Sequence, residues 1–401
     1  IDLSDALNAH CKRAAAVAAA KRATVLSPGS GEAWAALSHA ENALGAHFEA
    51  VESAARATTL RPGARKPRLA LSQALTSSGW LNEGLKEAES LYAADPCWEA
   101  EIAVSRAAFL SGDFAKGFAH YEQRFRLIPK PLPNVPRPRW RGEDVAGKTI
   151  MLVAEQGIGD SLNFARYAGE IAARGGRCIL HLQKELASLF SRLPHGVEYH
   201  QLVDIKDVDF WAPLLSAPLA LQAFTPPPAA MITAPTDRTI PHSVRSARGL
   251  KVGLVFAGNP DHTNDSLRSI GLEPLIGLLG VSGAHFFSLQ HGKARESIAA
   301  LSVGPLLHDL APHLKDWGDT AAAIEALDLV ISVDSAPAHL AGALGKPVWM
   351  LTPFCPDWRW GFQGDTTPWY PSMKLYRQSK PRRWDDVLER VRRDLEGLAA
   401  R

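Results

Sequence analysis

The sequence predicts an α-helical repeat array followed by two α/β halves whose parallel sheets face a shared cleft. Three observations lead there. Pro28, Pro62 and Pro96 recur every 34 residues, each after an alanine-rich helical stretch. The segment from Asp328 to Leu351 reads strand, tight turn, short helix, strand, the grammar of a parallel βαβ unit. Glu155-Gln-Gly-Ile-Gly-Asp160 follows an apolar run and leads into a helix, which places a second crossover with a glycine turn in the preceding half.

Bulk composition narrows the class. A chain of 401 residues with 46% hydrophobic and 21% charged residues suits a soluble globular protein of two or three domains. A net charge of +2 gives no general case for nucleic-acid binding. Cys11, Cys97, Cys178 and Cys355 are scattered without a CxxC pair, so neither a zinc site nor a disulfide framework is expected, which fits a reducing cytoplasm. No apolar run reaches membrane-spanning length. The sequence begins at Ile1 rather than Met, so a preceding segment stays open.

Residues 1–128 form the repeat region. The clearest copy starts at Gly31, with Trp34, Leu37 and Ser38 on a first helix, Ala50, Ala54 and Ala57 on a second, and Pro62 closing the unit. A copy from Arg65 keeps Leu71, Ser72, Leu75, Ala88 and Pro96. A third, from Glu99, keeps Phe109 and Gly112 and ends in the aromatic run Phe114 to Phe125. The segment before Pro28 reads as the second helix of an earlier unit. Small residues let paired helices approach, and each pair buries its open face on the next. Such arrays hold a peptide or protein segment on their concave side.

Residues 129–145 are a proline-rich, extended linker, with Trp140 expected to pack on the domain that follows. Residues 146–240 make the first α/β half. Its predicted strands are Lys148–Ala154, Arg177–Gln183 and Val208–Pro213, with a helix from Asp160 through Ala173 and a loop-rich run from Ser216 to Pro235. Gly157 and Gly159 turn the chain sharply at the carboxyl end of the first strand, where open sheets bind ligands. GxGD is not GxGxxG, and no ribose-binding acid follows on the next strand, which excludes a dinucleotide site. Glu155 and Asp160 are carboxylates at the cleft rim, and either could serve as general base for a hydroxyl nucleophile. A helix cap alone would also account for Asp160. Gln156 and Gly159 belong to the same rim.

Residues 241–380 make the second half. The strand Leu250–Phe256 ends in a polar loop containing Asn259, His262, Asp265 and Arg268. Arg268 is suited to pairing a phosphate. The strand His285–Leu289 ends in Gln290-His-Gly-Lys293, a quartet able to read a base or ribose edge and a phosphate. A short strand, Leu306–Leu310, and a helix, Asp319–Ala326, lead into Leu329–Val333. Asp334 and Ser335 then offer N-cap chemistry, Pro337 fits the first helical turn, and Gly345 with Pro347 ends the helix before Val348–Leu351. That helix N-terminus points a positive dipole end at the cleft, so a nucleotide phosphate fits at Ser335, Ala336 and Ala338. The alternative is an ordinary crossover without a ligand. Trp358 and Arg359 could stack on a sugar or base, whereas Trp360 and Trp369 read as packing residues. Residues 381–401 hold an amphipathic helix, Trp384–Ala400, expected to cross back over the first half.

These patterns resemble known families. The repeat resembles the tetratricopeptide repeat, with Glu41 and Ala54 standing where that pattern usually has aromatics. Asp334-Ser-Ala-Pro-Ala-His-Leu-Ala-Gly-Ala-Leu-Gly-Lys-Pro347 resembles the donor motif of the heptosyltransferases, glycosyltransferase family 9, except that Ala336 replaces a usual Gly. Gly157-Ile-Gly-Asp160 after the first strand is similar to the same family. The resemblance covers residues 146–380 and implies the GT-B fold, two Rossmann-like domains facing a cleft. It implies an inverting, metal-independent transfer from a nucleotide-activated sugar, with Asp160 as base and Ser335 and His339 at donor positions. The whole architecture looks like bacterial protein glycosyltransferases, those acting on flagellin among them. It implies a protein acceptor with a Ser or Thr hydroxyl and no cofactor beyond a CMP-, ADP-, UDP- or GDP-linked sugar. Three alternatives stay open: a scaffold with an inactive transferase domain, a heptosyltransferase acting on lipopolysaccharide, and a nucleotide-sugar epimerase.

Overall fold

The structure is a computed structural model and describes residues 2–9, 12–127, 134–201, 203–228 and 232–400. Eight helices pair in sequence: α1 (Asp2–Ala9) with α2 (Arg13–Leu26), α3 (Gly31–Leu44) with α4 (His47–Leu60), α5 (Arg65–Ser77) with α6 (Leu81–Ala94), and α7 (Trp98–Leu110) with α8 (Phe114–Tyr121). A 3-10 turn, Glu122–Arg126, ends the array.

One hydrogen bond recurs in each pair. Ser4 donates to the Ala16 carbonyl at 3.0 Å, Ser38 to Ala50 at 2.7 Å, Ser72 to Gly84 at 2.9 Å and Ser105 to Gly117 at 2.8 Å. A hydroxyl can reach the facing backbone only where no bulky side chain intervenes, which explains Ala or Gly at the acceptor position. A Cβ on Gly117 would lie 2.2 Å from Phe109 Cδ1. The α1–α2 pair carries the same bond, so the segment before Pro28 belongs to a whole unit. Glu41, at an aromatic position, is buried and accepts a 2.7 Å bond from Ser53.

The first α/β half has β1 (Thr149–Val153), α9 (Ile158–Phe164), α10 (Tyr167–Ala173), β2 (Arg177–His181), β3 (Val197–Tyr199) and β4 (Phe210–Pro213). The strands are all parallel, in the order β3-β2-β1-β4. The helix expected from Asp160 to Ala173 starts at Ile158 and divides at Ala165 and Arg166. Two short helices, α11 (Ala217–Leu221) and α12 (His242–Ser246), lead onward. Trp140 is buried as expected; its backbone N–H donates to the Trp211 carbonyl at 2.8 Å, laying the linker's end on the edge of β4. Residues 129–133 of the expected linker and 229–231 of the loop-rich run lie outside the described residues.

The second half has β5 (Leu250–Val255), α13 (Asp265–Arg268), β6 (Ala284–Ser288), α14 (Ser297–Ala300), β7 (Leu307–Asp309), α15 (Trp317–Glu325), β8 (Leu329–Val333), α16 (Ala336–Ala343), β9 (Val348–Thr352), β10 (Met373–Arg377) and α17 (Asp385–Ala399). Its parallel order is β10-β9-β8-β5-β6-β7. The terminal helix does not cross back. Val387, Val391 and Leu395 of α17 share a core with Val252, Leu254 and Ile331 of the second sheet. Asp394 fixes it there, accepting from Lys374 at 2.6 Å and Tyr376 at 2.7 Å on β10. The apolar stripe of α17 matches the open face of its own sheet, so the 381–401 segment is part of the second half.

The array docks on the α/β part along its inter-helix turns. Leu267 closes on Gly45, and Phe362 on Gly79. Phe354 meets His47 and Phe48. Phe109, Phe114 and Phe118 surround Trp358.

Candidate functional site

The two motifs singled out in the sequence meet face to face. Helix α9 packs on α16, and Gly159 lies against the His339 ring so closely that a Cβ would fall 2.8 Å from Cδ2. His339 is buried, with Nδ1 3.0 Å from the Tyr370 hydroxyl and Nε2 3.6 Å from Asp334. Asn163 of α9 donates to the same hydroxyl at 2.8 Å. Burial works against a charged Asp334, but His339 and Arg268 outweigh it and hold the carboxyl below its usual range. Ser335 is the N-cap of α16, yet its hydroxyl pairs with Ser332 Oγ at 3.0 Å instead of capping the helix. Neither Asp334 nor Ser335 thus caps α16 in the way the sequence suggested.

Asp160 both braces its helix and joins an ion pair. Its Oδ2 accepts the Gly157 N–H at 3.0 Å, and its Oδ1 accepts Arg359 Nη2 at 2.5 Å. The second fork of Arg359 donates to Asp357 at 2.8 Å. Arg359 is only 6% exposed and lies 4.5 Å over the Trp358 ring. Burial disfavours its charge, but Asp357 and Asp160 more than offset that and keep the guanidinium protonated.

The loop after β5 supplies the facing wall. Arg268 sits 3.5 Å from Asp265 and presses on the Gly258 backbone, where a Cβ would lie 2.9 Å from Nη2. His262 is exposed, yet desolvation by the surrounding loop and then Arg268 push it below the ordinary histidine value, against the opposing pull of Asp334, Asp357 and Asp160. One electrostatic neighbourhood therefore joins both halves: Asp160 from the first, and His262, Arg268, Asp334, His339, Asp357 and Arg359 from the second. Ala336 opens α16 beside it.

Other expected site residues have different work. Gln290 is 4% exposed; its Oε1 accepts the Phe256 and Ala257 N–H groups at 3.0 Å each, and its Nε2 donates to the Ala257 and His291 carbonyls. It staples two strand ends and cannot read a base edge. Lys293 is exposed on the turn after β6. Asn259 is exposed and closes its own turn by accepting the Asp261 N–H. Glu155 is no general base, because its side chain is 0% exposed and pairs with Arg124 at 2.8 Å. Gln156 donates to the Tyr121 hydroxyl at 3.1 Å. Trp358 is packed among the array's phenylalanines and is no sugar platform, while Trp360 and Trp369 are buried as expected. The sequence reading missed Tyr121, Arg124, Asn163, Asp357 and Tyr370. Asp357 and Tyr370 adjoin the marked Trp358 and Trp369, Asn163 lies in the expected helix from Asp160, and Tyr121 and Arg124 lie in the aromatic run Phe114 to Phe125, but Arg124 is 31 residues from its partner, so nothing local tied it to the site.

Residues 290–353 match glycosyltransferase family 9 (heptosyltransferase). The chain is a tetratricopeptide-like helical array joined to an α/β part similar to that family. Protein FlbA of Caulobacter vibrioides is 30% identical over 336 residues, covering 75% of this chain and 56% of that protein. The chain thus spans about half the length of this curated relative. Among solved structures, E. coli ADP-heptose lps heptosyltransferase II aligns with 63% of this chain and 98% of its own, at 14% identity and a TM-score of 0.46. The Thermobaculum terrenum O-GlcNAc transferase aligns with 99% of this chain and 89% of its own, at 14% identity and a TM-score of 0.35.

Proposed function

We propose that the chain transfers a sugar from a nucleotide-activated donor to a Ser or Thr hydroxyl of a protein acceptor. The observation behind this reading is the meeting of Gly159 and Asp160 with Asp334 and His339, beside two arginines. The donor's phosphate lies over the first turn of α16, where backbone N–H groups and the helix dipole favour an anion and Arg268 adds a charged partner. The acceptor hydroxyl enters beside Asp160. As it attacks the anomeric carbon from the face opposite the phosphate, Asp160 takes its proton. The new oxygen–carbon bond forms as the bond to phosphate breaks, with inversion, and the leaving charge falls on Arg268 and the helix end without a metal ion. Each oxygen of Asp160 accepts one hydrogen bond in the structure, which leaves a lone pair on each for the incoming proton, and Asp357 shares Arg359 meanwhile. The repeats present the acceptor, of which flagellin is the first to test.

Co-expression with flagellin should give a mass shift of one glycosyl unit. Asp160→Asn should abolish it while nucleotide binding by calorimetry stays near wild type. Arg268→Gln should weaken nucleotide binding by about ten- to a hundredfold, as expected for a lost charged hydrogen bond of roughly 1.5–3 kcal/mol. If CMP, ADP, UDP and GDP all fail to bind, the α/β part is a scaffold and the transferase reading falls.

A further inference from the structure

Both oxygens of Asp160 are held by arms that begin in the last helical repeat. The first arm starts at Arg124, in the 3-10 turn after α8. Its side chain is 2% exposed. Its Nε and Nη2 fork onto Glu155 at 3.1 and 2.8 Å, its Nη2 also reaches Ser216 at 2.8 Å, and its Nη1 donates to Glu122 at 2.8 Å and the Tyr121 carbonyl at 3.2 Å. Glu155 in turn accepts the Leu215 N–H at 2.9 Å. One guanidinium thus ties the array to the carboxyl ends of β1 and β4. Tyr121 holds the next residue, Gln156, and the residue after that, Gly157, donates its N–H to Asp160 Oδ2.

The second arm starts at Phe109 on α7. Its ring stacks on Trp358 at 4.2 Å and 17°. The Trp358 ring supports the guanidinium of Arg359, which binds Asp160 Oδ1. The two arms end on opposite oxygens of one carboxylate.

We infer that Arg124 is a positioning residue for the Asp160 site, and that the last repeat is a working part of that site as well as a docking module. This rests on the transferase reading above. A buried ion pair is a weak way to hold two domains together, since desolvation offsets most of its attraction. What the bidentate fork adds is a fixed direction between the array and the strand that delivers Asp160.

The test uses the full chain and two variants. Arg124→Lys keeps the charge and loses the fork. Arg124→Met combined with Glu155→Gln removes both charges, so neither is left buried alone, and still offers an acceptor to the Leu215 N–H. The measurements are kcat, donor KM and amide exchange across residues 156–162. Both variants should lose about ten- to a hundredfold in kcat, because small displacements at a reacting centre cost that much. Donor KM should stay within about twofold, and exchange should quicken at 156–162 but not in β8 or β9. Wild-type kcat with unchanged exchange at 156–162 would overturn the inference. So would a rise in KM matching the fall in kcat, with exchange faster throughout, which is the mark of a merely structural residue. If the wild-type protein transfers no sugar, the transferase reading fails by itself, and the exchange data still decide whether Arg124 orders the Asp160 turn.

Discussion

Gly159→Ala is the sharpest probe of where the two motifs meet. Gly159 lies in the first turn of α9, where alanine would ordinarily add up to about 0.5–1 kcal/mol of stability. Here the added methyl would sit 2.8 Å from His339 Cδ2. The ring has little room to yield, since Tyr370 holds one nitrogen at 3.0 Å and Asp334 lies 3.6 Å from the other. Overpacking a closed contact costs roughly 1–3 kcal/mol. Overpacking outweighs propensity over most of these ranges, for a net loss of up to about 2.5 kcal/mol, opposite in sign to the propensity effect. Gly397→Ala is the control. That glycine lies within α17 with nothing within 4 Å of an added Cβ, so the same substitution should stabilise by up to about 1 kcal/mol. Thermal melting of the two variants, with and without a binding nucleotide, gives the signs. Asp160 is the next residue, so transfer by Gly159→Ala should fall by about a hundredfold for a shift near 1 Å. A Gly159→Ala protein that melts with or above the wild type and transfers at its rate would refute the contact between α9 and α16.

The remaining predictions concern stability. Ser72→Ala should cost about 1 kcal/mol, because it leaves the Gly84 carbonyl without its buried donor; denaturant titration of the full chain measures it. His47 is pushed down to about 4, by burial first and then by Arg106, and is 5% exposed. In the unfolded chain it titrates near 6.5, so between about pH 6.5 and 4 the unfolded state binds the extra proton. Stability should therefore fall as pH drops through that window, by at most about 3 kcal/mol, and His47→Gln should flatten that part of the melting-temperature profile. Leu395→Ala should cost about 2–5 kcal/mol and speed amide exchange in β9 and β10 while sparing β1 and β2. Equal acceleration in β1 and β2 would mean that α17 covers the first half after all.

What the sequence revealed depended on how local each signal was. The repeat was clear because one hydrogen bond, Ser to a small residue's carbonyl, recurs with each unit and fixes the spacing. The strand Leu329–Val333 was clear because all five of its residues are buried. Val197–Tyr199 is three residues long, too short for a period to show. The side to which α17 packs could not be read, because an apolar stripe states that a helix is covered but not by what. The same limit explains the errors at the site. Glu155 and Gln290 follow strand ends as expected, and Trp358 lies in the loop after β9. Whether such a side chain points into a cleft or into a joint depends on partners far away in sequence. Arg124, the Phe256–Ala257 backbone and Phe109 made the difference.

These three displaced residues share a property that bears on how the molecule is built. Each one, expected to touch a ligand, instead fixes a segment that carries a charged residue of the neighbourhood joining the two halves. Glu155 fixes the turn to Asp160, Gln290 fixes the start of the loop to Arg268, and Trp358 fixes Arg359. A site assembled from loops must have its geometry set by something stiffer than the loops themselves. For the loop to Arg268, that support lies within the second sheet. For Asp160 and Arg359 it lies in the array, since Arg124 and Phe109 both belong to the last repeat unit. An array that only recruited a partner could sit at the end of a free linker. This one is wedged against the two segments that hold the carboxylate proposed for the proton transfer, so on that proposal a change in how the last repeat is seated is expected to reach Asp160 through Gln156 and Gly157 and through Trp358 and Arg359.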